Sequence, residues 1–592
     1  MSEVDVLIIG AGPAGLAAAN SCLSLGIDYY VVEKGEPLEH RLEDFPKHVA
    51  EGVGGAGLYS DGKISLYPSA TAIWNLPSYP IVKTGYGWMR SLISDFFPKM
   101  GHFPDLTHVH ESFEAKQTAD HYIKNYNSFV LSEKQRKELL RRLVAPVAHR
   151  IWTCRTVVSI KRIDGAFQCT IRETKTDKEF VVLSKQILFC SGRLAPLSMF
   201  EMCPFLGSDF KRFEYGIRIQ QSSDEFFLKN FAENDPKLIF TDEQDQVEWR
   251  TFCCCKKGGL IQCNGDSGIL FSGTTSEKSD LSNVGFNCRI KTDSLLRQYQ
   301  DEITSFLTGK VPPFSIQLQE FIANDTQTLY GPKLDSLLRK GIIKLVAKYD
   351  LKDAVLYGPT LEGAGYYPQL TPNLEAVPND SKLGNASGFY VAGDSTGLFR
   401  GLLAALISGY YIAHMAKRQK EMFSEEMTSK AKINYSSVAP LPTVFTAQSK
   451  KFFYCRDVVC QFVLNRGCLP INPFRVFDYF LSDRVDRNLI RQGNNHLIRL
   501  CDELWVFGPI ADGVFFELVH AAHLQKRVRF FTIGTSEKDI QLISDIDKIV
   551  FEPEVHSSRQ TRESLLNEIR PLMDIRPLSA EKQKQFNLFK SQ

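Results

Sequence analysis

Apolar residues follow two rhythms along the chain, and the change of rhythm marks its modules. Val4 to Ile9 is a largely apolar run suited to a strand buried on both faces of a parallel sheet. Ala14 to Leu25, rich in Ala and Leu, predicts a helix, and Asp28 to Val32 a second strand, which completes a βαβ beginning. Residues 36–75 are dense in Gly and Pro and read as long functional loops. Glu133 to Leu143 has a helical pattern. Thr156 to Ile160, Phe167 to Arg172 and Phe180 to Leu183 read as strands of a small sheet, and Gln186 to Cys190 as a buried strand returning to the main one. Phe213 to Gln220, Leu238 to Phe240 and Gly259 to Thr274 suit an inserted domain, spanning about 213–350. Phe389 to Ala392 is the last strand of the module and Gly401 to Lys417 its closing helix.

Residues 417–442 are charged, then rich in Ser, Pro and Ala, with Pro440 and Pro442 at the end, and read as a linker. Strand and helix patterns then alternate. The strands are Thr443 to Ala447, Cys468 to Asn472, Glu503 to Phe507 and Val528 to Thr532; the helices are Arg456 to Asn465, Arg484 to Leu500 and Gly513 to Gln525. That is a second α/β domain, 443–592, following a first module over 1–416. No internal repeat relates the two.

Composition adds exclusions. A chain of 592 residues exceeds one ordinary core, and 43% hydrophobic with 23% charged residues is globular. The formal net charge of +2 is spread evenly, without the basic patch of a nucleic-acid binder. No secretory leader and no apolar run of membrane-spanning length is evident, so a soluble, cytoplasmic protein is expected. The 14 cysteines form no paired knuckles, no metal site is read, and reduced thiols are expected. Cys253, Cys254 and Cys255 are adjacent; adjacent cysteines bridge only with strain, so they read as strand or core thiols. His48, His108 and His110 have no partner at ligand or triad spacing.

Gly10-Ala11-Gly12-Pro13-Ala14-Gly15 matches a dinucleotide loop between a strand and a helix, and Glu33 ends the next strand. Gly10 permits the turn, Gly12 lets backbone approach a pyrophosphate, Gly15 lets helix and strand pack, and the helix N-terminus from Pro13 and Ala14 faces the phosphates. Glu33 would accept a ribose hydroxyl. FAD and NAD share this loop, so it does not choose between them.

A second site does. Gly393-Asp394, after the strand ending at Ala392, resembles the Gly-Asp motif of glutathione-reductase-type flavoproteins, whose Asp binds the ribityl and pyrophosphate region of FAD. Gln186 to Gly192 is similar to their Ala-Thr-Gly strand, with Cys190 and Ser191 in place of Ala and Thr. Gly54 to Lys63, Arg250 to Cys253 with Gly258-Gly259, and Gly393 to Gly401 further resemble the large FAD-dependent dehydrogenases over about residues 1–415; here Cys254 replaces a Met, and Lys256 and Lys257 replace the Pro region. The resemblance implies FAD, with Gly54 and Gly55 passing close to the flavin and the helix near Gly401 aiming N–H groups at it. A second nucleotide loop is not found between residues 70 and 390, so NAD(P)H, where it serves, is an external reductant.

In the last domain Asp512-Gly513 and Glu517 follow a strand ending at Gly508, and with Arg456 to Phe474 they resemble the nucleoside 2-deoxyribosyltransferase-like superfamily. The resemblance implies Glu517 as nucleophile at an anomeric carbon and Asp512 as holder of a sugar hydroxyl; Glu517 as a simple early-turn acid stays open.

The expectation is therefore α/β throughout: a Rossmann-type FAD domain with an inserted mixed-sheet substrate domain, then a Rossmann-like domain. The expected activity is hydride transfer between flavin N5 and a small-molecule substrate, with nucleotide or nucleoside recognition by the last domain. Alternatives are an FAD-dependent monooxygenase, an N-glycosidic-bond enzyme or NAD-consuming hydrolase with a flavin sensor, and a noncatalytic scaffold.

Overall fold

The computed structural model describes residues 2–574 apart from 44–48, 68, 99–115, 118–120, 125–127, 164, 243–245, 266–267, 276–278, 325–327, 380–387, 429–440, 478–484, 554 and 556–561. His48, His108, His110 and residues 429–440 of the expected linker lie outside the described residues. The chain forms two compact units, one mainly within residues 1–429 and the other mainly within 430–592.

The first unit is organised around β1 (Ser2–Ile9), α1 (Pro13–Ser24), β2 (Tyr29–Val32), β3 (Glu179–Phe189), β4 (Phe389–Val391) and α2 (Leu402–Thr428). β1 lies between β2 and β3, and β4 pairs with β3, all in parallel. The register sets Ile9 opposite both Val32 and Phe189, and Phe189 opposite Val391, so the carboxyl ends of four strands meet at one edge. Val6, Leu7, Ile8, Ile187, Leu188 and Phe189 are fully buried, as strands covered on both faces require. The strands Arg155–Ile163 and Ala166–Glu173 extend this seven-stranded sheet antiparallel beyond β3. The runs Phe180 to Leu183 and Gln186 to Cys190 prove to be one strand, β3.

Helices α1 and α2 cross where a Cβ on Gly409 would lie 2.0 Å from the Ala14 carbonyl oxygen. That close approach couples the two ends of the module. Helix α2 continues past Lys417 to Thr428, because residues 418–428 offer Lys, Glu, Gln and Met without Gly or Pro; the first part of the expected linker is thus helical.

An eight-stranded antiparallel sheet forms the rest of the unit, in the order Phe314–Gln317, Val355–Pro368, Ser208–Ser222, Leu281–Ile290, Val247–Cys255, Lys237–Asp242, His121–Lys124 and Lys116–Gln117. Its long strands reach beyond 213–350 on both sides. The helix Pro332–Val346 covers one face, with Gly341 against the Trp249 ring and Trp249 Nε1 donating to the Leu337 carbonyl at 2.9 Å. The hairpin of Gly258–Gly265 and Gly268–Thr275 stands apart as its own two-stranded sheet.

The second unit is a four-stranded parallel sheet in the order β6 (Leu469–Ile471), β5 (Thr443–Gln448), β7 (Glu503–Phe507), β8 (Arg527–Phe531). Helices α3 (Arg456–Leu464), α4 (Arg487–Leu500) and α5 (Asp512–His523) connect consecutive strands. Because such crossovers are right-handed, the reversal of direction at β6 puts α4 and α5 together on the face opposite α3. Among the described residues no helix is long and apolar enough to cross a membrane.

Candidate flavin site and a second pocket

The loop after β1 is shaped by contacts a side chain would break. Gly10 has φ +97, and a Cβ there would lie 2.7 Å from the Cys190 carbonyl oxygen at the end of β3. A Cβ on Gly15 would sit 1.8 Å from the Gly10 carbonyl oxygen. Gly12, which caps α1 with Pro13 next, is different: a Cβ there meets nothing within 4 Å. The loop is tight against protein at Gly10 and Gly15 and open at Gly12, where a helix N-terminus offers unpaired N–H groups to an anion.

Glu33, at the end of β2, is 6% exposed. Its carboxylate accepts from the backbone N–H of Ala11 at 2.7 Å, Gly52 at 2.8 Å and Gly35 at 3.0 Å. A carboxylate has about four acceptor positions, so the structure commits most of Glu33 to holding two loops together and leaves about one for a ligand. Arg41, which the sequence pattern did not single out, completes this scaffold. Its buried guanidinium donates to the carbonyls of Val49, Gly52, Val53 and Gly55 at 2.6–3.2 Å. The loop so held lies on the dinucleotide loop: Gly54 N–H donates to the Ala11 carbonyl at 2.8 Å, and a Cβ on Gly55 would be 3.1 Å from Gly12 Cα.

The second motif arrives from the other end of the unit. Gly393 follows β4 with φ +66, and a Cβ there would be 3.1 Å from Ala14 Cβ, so Gly393 and the start of α1 are neighbours. Ser395 Oγ donates to the Gly192 carbonyl at 3.1 Å, tying this turn to the end of β3. Asp394 Oδ2 accepts from Arg400 Nε at 3.1 Å, while Oδ1 is buried without a hydrogen-bond partner among the described residues. A buried unsatisfied carboxylate oxygen costs free energy unless a ligand supplies the donor. Gly192, with φ +81, and Gly401, with φ +93 just before α2, likewise face open space. Three open glycines and one orphaned acceptor, gathered from residues nearly 400 positions apart, fit an extended dinucleotide.

A buried charge network continues from Arg400 into the antiparallel sheet. Arg400 Nη1 lies 3.0 Å from Glu362 and 3.3 Å from Glu214; Arg193 also pairs with Glu362, and Arg289 and Arg212 with Glu214. Burial alone would raise the Glu214 carboxyl, but Arg289, Arg212 and Arg400 hold it well below the usual carboxylate range. The network is ionised and fixes Arg400 beside Asp394. Sequence spacing offers no signal for it, because Glu214, Arg289 and Glu362 come from three different strands and Arg193 and Arg400 from loops.

In the second unit, Glu517 lines a cavity of about 340 Å³ between α4 and α5, with Arg491, Asn494, Phe516 and His520. Asn494 Nδ2 donates to Glu517 Oε1 at 2.8 Å. Burial pushes the Glu517 carboxyl up to about 8, with the Asn494 hydrogen bond opposing. Asp512 begins α5 but is not among the lining residues of the cavity; Gly513 is. The expected pair is thus split by the structure, Glu517 in the pocket and Asp512 at its edge.

Comparison with known proteins agrees with the first site. The profile of the family described as "FAD binding domain" matches residues 3–41, and that of "Domain of unknown function (DUF7768)" matches residues 446–531. An uncharacterized protein of Clostridium beijerinckii is 21% identical over 467 residues, 69% of this chain and 79% of its own. Digeranylgeranylglycerophospholipid reductase 1 of Methanothermobacter thermautotrophicus is 35% identical over 111 residues, 16% of this chain and 27% of its own. The solved geranylgeranyl bacteriochlorophyll reductase-like protein of Thermoplasma acidophilum is 12% identical, with a TM-score of 0.33 covering 72% of this chain and 84% of its own. The cofactor is FAD, and the first unit is an FAD-binding module of mixed α/β architecture.

Proposed function

We propose that the first unit transfers hydride between FAD and a small-molecule substrate. The observation that carries this reading is the buried, unpartnered Asp394 Oδ1 beside the open N-terminus of α1. The N–H groups of the first turn of α1, from Ala14 and Gly15, would take the pyrophosphate, with Pro13 pre-setting the helical φ. Glu33 would use its remaining acceptor position for a ribose hydroxyl, and Asp394 Oδ1 would accept from the ribityl chain. Gly54 and Gly55, held by Arg41, and Gly401, opening α2, would complete the cradle. Bound there, FAD supplies two-electron chemistry at the isoalloxazine ring.

The chain's own part is to orient and to hold charge. Arg400 ties Asp394 to Glu362 and Glu214, so the acceptor that meets the cofactor is fixed by the sheet that would carry the substrate. Arg193, a quarter exposed at its side chain and paired to Glu362, is the cation that a negatively charged substrate would meet. The tests are spectroscopic. The purified protein should be yellow, and anaerobic NADH or NADPH, offered as external donors, should bleach it with a substrate-dependent reoxidation. Rapid reoxidation by oxygen with formation of a hydroxylated product would instead select the monooxygenase reading.

A second reading concerns the last domain, where the cavity around Glu517 favours recognition of a nucleotide or nucleoside. A carboxylate on α5 beside Asn494 has the chemistry to attack an anomeric carbon, and a carboxylate suits the positive charge that develops there. Release of a free base from nucleosides or NAD, lost in Glu517→Gln, would support it and give the flavin unit a sensing role. Release that survives the substitution would exclude Glu517 as nucleophile.

A further inference from the structure

Beneath the hairpin Gly258–Gly265/Gly268–Thr275, in the first unit, lies a cluster that the flavin chemistry does not use. The strand Val247–Cys255 loses its ladder register between Phe252 and Cys255, and Cys253 sits there in the left-handed region with φ +48. In a regular strand, residues i and i+2 stand roughly 6.6 Å apart. The bulge instead brings Cys253 Sγ to 3.9 Å from Cys255 Sγ. The sequence draws attention to three adjacent thiols; the structure selects the outer two and turns the middle one, Cys254, into the core at 1% exposure.

The surroundings of the pair are ionic. Asp61 has an oxygen within 4.8 Å of both sulfurs. Lys63 is ion-paired to Asp61 at 3.1 Å and to Asp235 at 3.4 Å. Arg218, fully buried, places Nη2 at 3.8 Å from Cys255 Sγ and also donates to the Cys253 carbonyl and Asn283. Its Nε and Nη1 have no hydrogen-bond partner among the described residues. A buried guanidinium so poorly satisfied is costly unless an anion stands beside it. A thiolate on Cys255 would supply that anion. The hydrogen bond from Cys253 leads in bringing the Cys255 thiol down to about 7 against the opposing effect of burial, with Lys63 and Arg218 adding to the fall. The three ligand atoms also have the mutual spacing of a metal cradle, but two cationic side chains already occupy its margin, which disfavours a cation.

We propose that Cys253 and Cys255 form a redox-active dithiol that closes to an intrastrand disulfide by exchange with a small disulfide. Cys253, the half-buried member of the pair, passes its proton to the Cys255 thiolate as its sulfur attacks one sulfur of the reagent and expels the first thiolate; that thiolate takes the proton from Cys255, whose sulfur then attacks Cys253 Sγ and expels the second. One S–S bond is broken and one formed, two electrons pass from the protein sulfurs to the reagent, the single proton of the pair ends on the first released thiol, and its negative charge leaves with the second as a thiolate. No other oxidant is required.

The test uses the full-length reduced holoprotein and dithiodipyridine, whose released thiopyridone is read by absorbance while mass spectrometry follows the peptide carrying residues 251–256. Wild type should release both thiopyridones at this site and yield a peptide lighter by two hydrogens, carrying no adduct and restored by dithiothreitol. The rate should rise with pH through about 7. Cys254→Ser should behave as wild type, whereas Cys255→Ser should stop at a stable thiopyridyl adduct on Cys253. An adduct retained on wild-type Cys253, a bridge that involves Cys254, or zinc bound at the pair and shielding both thiols would each overturn the proposal. The wild-type and Cys254→Ser results decide the matter even if a Cys255 variant fails to fold.

Discussion

Gly12 and Gly15 sit three residues apart, one capping α1 and the other in its first turn, yet alanine should act at them through different states of the protein. At Gly12 the backbone is extended, with φ −72 and ψ −177, and an added Cβ meets no protein atom within 4 Å. Gly12→Ala should leave the cofactor-free protein intact, or more stable by about 0.4–1 kcal/mol, since alanine loses less chain entropy on folding. The methyl group would lie where the pyrophosphate must approach. With FAD at a hundred times its Kd, ligand linkage contributes about 2.7 kcal/mol to the holoprotein, and that increment should disappear. At Gly15 the same methyl would fall 1.8 Å from the Gly10 carbonyl oxygen, so helix and strand must separate by roughly 2 Å to restore contact. Overpacking of that kind costs about 1–3 kcal/mol or more, with or without cofactor. The assay is thermal unfolding of both variants with FAD removed and then restored, with bound flavin measured by absorbance. Gly12→Ala that binds FAD as wild type does would refute the reasoning, as would Gly12→Ala that destabilises the flavin-free protein as much as Gly15→Ala.

Two pH effects follow from the buried acids. Glu214 is held ionised, its folded pKa lying below the unfolded value of about 4.3; its stabilisation is present above that value and lost as pH falls through the folded pKa. The first unit should therefore unfold on acidification, and Glu214→Gln should be destabilised at neutral pH, since it strands buried arginines, while its unfolding temperature varies less with pH below 4.3. Glu517 has the opposite sign. Its folded pKa of about 8 lies above the unfolded value, so folding of the second unit is progressively penalised as pH rises from about 4.3 to 8. Glu517→Gln should remove that decline, seen as a flat unfolding temperature between these limits, and any base-releasing activity that needs the carboxylate should rise through about pH 8 in the wild type.

Local chemistry was readable from the chain, and long-range pairing was not. The β1–α1–β2 unit, Glu33 and the Gly393-Asp394 turn announce themselves because each depends on residues close in sequence: an apolar run, a glycine loop, an acid at a strand end. The alternation after Thr443 was equally plain, since parallel strands and their connecting helices carry opposite periodicities. The antiparallel sheet was seen only in fragments. Ser208–Ser222 pairs with Val355–Pro368 across more than a hundred intervening residues, and mixed burial on its strands blurs the alternation that would have marked their ends. Arg193, Glu214, Glu362 and Arg400 were invisible as a group for the same reason: an ion-pair network has no spacing rule when its members come from distant parts of the chain. Asp512 and Glu517 were close enough to read as a pair, but the helix begins at Asp512 and directs Glu517, not Asp512, into the cavity.

The most direct measurement is the flavin content of wild type and Asp394→Ala after gel filtration in parallel. Wild type should carry FAD in a one-to-one ratio with the chain. Asp394→Ala, which removes the buried acceptor and one of the carboxylates paired with Arg400, should keep its secondary structure and emerge largely colourless, regaining flavin only at much higher FAD concentration. A colourless wild type, or an Asp394→Ala variant that retains FAD with undiminished affinity, would contradict the assignment of this site.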